Sequence, residues 1–128
     1  MAKKHLILIL ARELASNLAT PTLIADEQGN VVFYNEAAEA VMGSPFSEMG
    51  EVGIDDLAES FSPRTPEGKR LPVEGLPGRV ALDERRASHV RVLITSRDGV
   101  DRELGVTGFP LFAHADEFVG IVVIFWRE

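Results

Sequence analysis

Asp55, Asp56 and Glu59 fall within one short segment, and close carboxylates are what general acid–base catalysis or an oxygen-ligated cation would need. Adjacent residues on a helix point about 100° apart, so Asp55 and Asp56 do not converge on one point, and no histidine accompanies them. The trio reads as a solvated, helix-capping acidic face, with a small α+β enzyme using these residues as the alternative. Ser44, Ser47 and Ser60 lack a Gly-x-Ser-x-Gly nucleophile signature. His5, His89 and His114 have no metal-ligand spacing; His89 reads as a strand-edge residue and His114 as part of a late turn. Arg79 lies in a helical stretch, where it would meet a ligand carboxylate or pair with surface acids. The chain has no cysteine, which removes disulfides, thiolate metal sites, a thiol nucleophile and covalent thiol attachment of a cofactor. A reducing, cytoplasmic location is the expectation.

A length of 128 residues with 45% apolar and 26% charged residues fits one globular domain able to bury a core. The formal charge of −7 argues against nucleic acid as a direct partner, since phosphate binding wants concentrated basic surface. Lys69-Arg70 and Arg85-Arg86 read as solvated pairs. Near the start, Lys3-Lys4 precede an apolar run from Leu6 to Ala11 that Arg12 and Glu13 interrupt, which is too short for a signal core or a membrane span. Leu6, Leu10, Leu14 and Leu18 recur at helical spacing, widened by Ile7 and Ala11, so residues 2–18 read as one amphipathic helix, with a strand over 5–10 as the competing reading. The expected division is an amino-terminal helix over 1–19 and a core domain over 20–128.

The core opens with Leu23-Ile24-Ala25, the turn cluster Asp26 to Asn30, and Val31 to Tyr34, a hairpin pattern. Asn35 follows, placed to cap a helix from Glu36 to Met42 that Gly43 terminates. Ile54 to Phe61 makes one to two helical turns. Residues 62–72, rich in proline, read as a flexible insertion, and helix resumes from Val73 to about Glu84. Ser88–Ser96, Arg102–Phe112 and Phe118–Trp126 alternate as strands, separated by turns over 97–100 and 113–117.

This order of hairpin, capped helix, short helices, connecting helix and three long strands resembles a PAS sensor domain over roughly residues 20–128. The resemblance implies an α+β fold: a five-stranded antiparallel sheet flanked by short helices, with the amino-terminal helix on its outer face and often mediating dimerisation. It implies a sensory and signal-transducing role without enzymatic activity. Signals would pass to an effector domain or partner such as a histidine kinase, cyclase or transcription regulator, and the chain ends near where such domains hand over to a linker. Family members that form a flavin–cysteine adduct or a chromophore thioester need a cysteine that is missing here. Haem would need a histidine in or beside the 73–84 helix, leaving His89 as the one route. Ligand identity, the direction of signalling and whether the chain is an excised domain do not follow from the residues.

Strand alternation places Val90, Val92 and Ile94 on one face, with Leu104, Val106 and Gly108, and with Ile121, Val123 and Phe125. The resemblance adds Leu23 and Ala25, and opposes to them a helix carrying Gly75, Gly78 and Leu82. Three glycines where a core expects side chains leave room for a small apolar ligand such as a fatty acid or planar aromatic molecule. The contrary reading is that Phe33, Phe61 and Phe125 fill the space. On the other face Val122, Ile124 and Trp126 would stand with Leu93, Thr107, Phe109 and Tyr34, and Gly105 would admit a helix closely. The leucine stripe is the expected cover. What it leaves exposed, from Leu6, Ile7, Leu10 and Leu14, is expected to meet a second subunit in a homodimer.

Overall fold

The computed structural model describes residues 2–114 and 116–127, with side chains from Leu6 onward. The side chain of His5, and Ala115 within the expected 113–117 turn, lie outside the described residues. The elements are α1 (Ala2–Ser16), β1 (Thr22–Asp26), β2 (Val31–Tyr34), α2 (Glu36–Met42), α3 (Ile54–Glu59), α4 (Pro77–Glu84), β3 (Ser88–Thr95), β4 (Asp101–Phe112) and β5 (Phe118–Arg127). The five strands form one antiparallel sheet in the order β2-β1-β5-β4-β3. The architecture is α+β, as expected.

Local chemistry accounts for the opening unit. The Asp26 carboxylate accepts from the N–H groups of Gln28 and Asn30 at 3.0 and 2.9 Å, and Gly29 supplies the left-handed φ of 86° that closes the turn. Asn35 caps α2 by accepting from the Ala38 N–H at 3.0 Å, and Gly43 ends the helix at φ 79°. The far end of α2 is tied to the β3–β4 hairpin, because Ser96 Oγ donates to the Val41 carbonyl at 2.6 Å and the Arg97 N–H to that of Met42 at 3.1 Å.

The sheet has two apolar faces. The inner one carries Leu23, Ala25, Val92, Ile94, Leu104, Ile121, Val123 and Phe125, covered by α2, α3 and α4. Tyr34 belongs here, not on the outer face as its position after Phe33 implied. It pairs directly with Leu23 across the hairpin, directly opposed residues share a face, and its hydroxyl donates to the Ser44 carbonyl at 2.9 Å.

The outer face gathers Ile24, Phe33, Phe109, Val122 and Ile124 beneath α1, which lies over β1, β2 and β5. The helix presents Leu8, Ala11 and Ala15, and Arg12 stacks over the Phe33 ring at 5.1 Å. The leucine stripe expected to cover the sheet points away from it, with Leu6 53%, Leu10 55% and Leu14 65% exposed. Small alanines face the sheet because its own side chains there are large, and a hydrogen bond from Asn35 to the Ala15 carbonyl holds the end of α1 close. Gly105 admits no helix either: the Trp126 ring occupies its space, 2.7 Å from where a Cβ would stand, and stacks on His89 with centroids 5.4 Å apart.

Two expectations for the middle of the chain change. Residues 62–72 are tied down, since Arg64 and Leu93 exchange backbone hydrogen bonds at 2.9 and 2.8 Å along the free edge of β3, and Arg64 Nη2 donates to Thr95 Oγ1. The helix expected over 73–84 is a 3₁₀ turn, Val73–Gly75, followed by α4, whose first residue is Pro77. Proline favours that first position and pushes Leu76 into extended backbone, breaking the run.

Candidate functional site

A cavity of about 130 Å³ lies between the inner sheet face and the helices. Its sheet side is formed by Leu23, Val92, Ile94, Leu104, Val106, Val123 and Phe125. Val41 and Met42 of α2, Leu57 and Ala58 of α3, Phe61, Pro63, Val73, Leu76 and Pro77 close the remaining sides. The lining is apolar except at one edge, where Asp55 and Arg79 stand together. Alternation brings the sheet residues together: β3 pairs Val92 with Leu104, β4 pairs Val106 with Phe125, and β1 pairs Leu23 with Val123.

The glycines expected to create this space do not. Gly108 lies under α4, where an added Cβ would stand 2.5 Å from the Pro77 carbonyl oxygen, so its missing side chain permits helix backbone to approach the strand. Gly78 borders the cavity, but Ile54 Cδ1 sits 2.6 Å from its would-be Cβ and takes that room. Gly75 is exposed on the 3₁₀ turn, a consequence of the break before Pro77. Leu82, Ala25 and Ile121 are buried in the same core without bordering the cavity, Leu82 reaching instead toward the β1–β2 turn at Gly29. Phe61 and Phe125 line the space, while Phe33 faces α1. The volume arises from how α3 and the segment after it stand off the sheet, a relation between distant parts of the chain that no local spacing encodes.

Arg79 donates from Nε to Asp83 at 3.0 Å and from Nη1 to Asp55 Oδ2 at 3.2 Å. The bond to Asp83, offset in part by burial and assisted by the Asp55 charge, raises its already high pKa. The cation is thus shared between two acids before any ligand arrives. Asp55 Oδ1, by contrast, is enclosed with no hydrogen-bond partner; among the described residues the other such side-chain oxygen is Ser88 Oγ.

Glu59 pairs with Arg70 at 3.3 Å and Asp56 is exposed, so the three acids do not converge, and among the described residues no group of histidine, cysteine, aspartate and glutamate is arranged to hold a metal ion. His89 is exposed on the outer side of β3, its Nδ1 2.9 Å from Thr107 Oγ1, away from the cavity. Of the basic pairs, Arg86 meets Glu84, and Arg85, while exposed, lies 3.6 Å above the Phe118 ring. Sequence reasoning missed Asp55 as a neighbour of Arg79, since 24 residues separate them. Among the described residues no helix is long and apolar enough to cross a membrane.

Comparison with known proteins gives this geometry a family. None of the curated proteins matches the chain. Similar solved structures include the PAS domain of Bordetella pertussis BvgS, 16% identical with a TM-score of 0.65 over 94% of this chain and 84% of that one. The PAS domain of the fruit-fly ELK potassium channel is 12% identical with a TM-score of 0.73, covering 94% and 95%. That of nitrogen regulation protein NR(II) from Vibrio parahaemolyticus is 17% identical with a TM-score of 0.53, covering 93% and 98%. The family model for the PAS fold matches residues 15–127, the whole sheet and every helix after α1, and the chain therefore belongs to the PAS family.

Proposed function

We propose that this PAS domain is a sensory module of signal transduction that takes a small, mostly apolar ligand into its inner cavity and passes the occupancy to an effector domain or partner protein. The observation that carries the reading is the cavity itself: about 130 Å³, apolar, and touching β1, β3, β4, β5 and three helices at once. Occupancy there would act on the packing of α3 and α4 against the sheet, and so on β5 and the α1 that covers it. The phage VqmA–DPO complex, 14% identical with a TM-score of 0.68, and a PAS domain from a two-component sensor histidine kinase, 11% identical with a TM-score of 0.52, share the fold. The second supports a sensory setting, and a kinase, cyclase or transcription regulator is the effector class of this proposal. A chain without cysteine suits a reducing, cytoplasmic compartment.

The second part of the proposal is a homodimer through α1. Leu6, Ile9, Leu10 and Leu14 are all more than half exposed and lie along one side of that helix, which a second copy would cover by closed twofold association.

An interaction module with a filled core is the second reading, favoured by Ile54 over Gly78 and Pro77 against Gly108, which close the space the glycines leave. Native mass spectrometry of the purified chain separates the two. A co-purified small molecule, or uptake of an added apolar probe, supports the sensor; a bare chain that takes up neither supports the interaction module.

A further inference from the structure

The wall of the cavity between α3 and α4 is neither α-helix nor one of the five strands. It is a strap, residues 62–76, that leaves α3, runs beside β3, turns at 65–68 and returns to α4. Phe61 and Pro63, both buried, line the cavity where the strap sets out, and Val73 and Leu76 line it where the strap returns. Val73 and Leu76 are only half-buried, as are Ala58 of α3 and Arg79 of α4, so the cavity meets solvent between α3 and the base of the strap.

The bonds that hold the strap to β3 centre on Arg64. Its N–H and carbonyl pair with Leu93 at 2.9 and 2.8 Å, and next to them the Thr95 N–H donates to the Phe61 carbonyl at 2.9 Å. The Arg64 side chain donates from Nη2 to Thr95 Oγ1 at 2.6 Å and from Nε to the Ser62 carbonyl at 2.9 Å, with Asp101 3.7 Å away. A further tie, Arg70 to Glu59 at 3.3 Å, joins the returning limb to α3, but both side chains are exposed and water weakens it. The strap also has natural pivots. Ser62 is held at φ 49°, a left-handed conformation unfavourable for serine that movement would relieve, and Leu76 is extended ahead of Pro77.

We propose, on the reading of the cavity as a ligand site, that the strap is its gate: ligand enters and leaves when residues 62–76 swing away from β3 and α3, and Arg64 is the latch that sets how often they do. Opening parts bonds that a bound ligand does not touch, because neither Arg64 nor Leu93 borders the cavity. A weaker latch therefore speeds entry and release by the same factor while the closed state stays predominant. Affinity is left to the apolar walls, and the latch fixes how fast the domain responds.

A covalent lock tests the gate. Arg64 and Leu93 exchange both backbone bonds, a pairing that sets Cα atoms about 5.5 Å apart, inside the range of about 4.4–6.8 Å that a disulfide spans. Arg64→Cys with Leu93→Cys, in a chain that has no other cysteine, gives a strap that is unlatched when reduced and locked when oxidised. Methyl exchange NMR with toluene, read at Leu57 and Val92 inside the cavity, measures entry and release in the native chain and in both forms of the variant. The reduced form should exchange toluene about tenfold faster than the native chain, the factor that a hydrogen bond from a charged group supplies, and the oxidised form more slowly than either, with the dissociation constant unchanged. Thr95→Val removes the acceptor of the latch without bordering the cavity. It should also speed exchange, and it decides the matter if the disulfide does not close. Equal rates in the native and oxidised chains, or in the native chain and Thr95→Val, overturn the gate and leave the cavity reading standing. Weaker binding in the oxidised form with entry as fast as before does the same, since the strap would then be a wall. Toluene that enters none of these proteins removes the cavity reading and the gate together.

Discussion

Asn35 Nδ2 donates to the Ala15 carbonyl at 2.9 Å, fastening the last turn of α1 to the junction of β2 and α2. The same amide reaches the Thr20 carbonyl at 2.9 Å, and its oxygen accepts from the N–H groups of Thr22 and Ala38. A cap alone contributes about 1 kcal/mol. Asn35→Ala would also leave buried partners unsatisfied, so the expected loss is about 2–4 kcal/mol by chemical denaturation. A loss near 1 kcal/mol would reduce Asn35 to a cap. Asn35→Asp keeps the acceptor and loses the donor, and should fall well below the parent with α1 loosened, visible as faster hydrogen exchange in α1.

Gly108 and Gly75 are predicted to behave oppositely on substitution by alanine. At Gly108 the new Cβ meets the Pro77 carbonyl oxygen at 2.5 Å, backbone that cannot turn aside, and a loss of about 1–3 kcal/mol is expected. Gly75 is exposed, with only Leu71 Cδ1 at 3.8 Å from the new Cβ, and alanine there should change stability by less than about 0.5 kcal/mol. Urea titration of the two variants checks the contrast. Equal effects would mean that α4 does not rest on β4 as described.

Sheet faces, the capped helix and the hairpin were legible because each depends on neighbours within a few residues. Val92 with Ile94, and Leu104 with Val106, needed only period two. Tyr34 was misplaced because its face follows from pairing with Leu23, and Gly108 because α4 arrives from 31 residues away to lie on it. The alanine face of α1 was hidden by leucines of the same period on its other side. Likewise Arg79 could be picked out from its place on a helix, but not its two acids, one of which belongs to another helix.

Tyr34 is the chain's single tyrosine, so its ionisation can be read from the ultraviolet spectrum. Burial, the largest influence, raises its pKa above the ordinary 10.0, against the hydrogen bond to Ser44. The folded state therefore favours the neutral phenol. Its contribution is complete below the unfolded value and is lost as pH rises through the folded one. The native titration should lie above that of the urea-unfolded chain, and Tyr34→Phe should flatten the alkaline loss of stability. Coincident curves for native and unfolded protein would contradict the burial of this hydroxyl.

Asp98 is held in the opposite direction. Hydrogen bonds from Arg102 and from the Val100 N–H lower its pKa from 3.8. A depressed carboxylate stabilises the fold above the unfolded value and ceases to do so as pH falls through the folded one. Carboxyl-carbon NMR should place the Asp98 midpoint below that of the same residue in unfolded chain, and Arg102→Leu should return it toward 3.8. No movement in the variant would deny the pairing.

The proposed dimer predicts that Leu10→Glu, in the middle of the exposed apolar side of α1, yields a monomer with its fold intact. Analytical ultracentrifugation at micromolar concentration should show a dimer for the parent chain and a monomer for the variant. A monomeric parent would remove the dimer while leaving the cavity untouched.

The account stands most directly on whether the inner cavity admits a ligand. Methyl-resolved NMR of the chain titrated with toluene measures this at each wall. The prediction is saturable shifts at Leu57, Val92, Ile94, Leu104 and Val123, which surround the cavity, with Leu10 and Leu14 on the far side of α1 unmoved. Shifts confined to α1, or none that saturate, would contradict it.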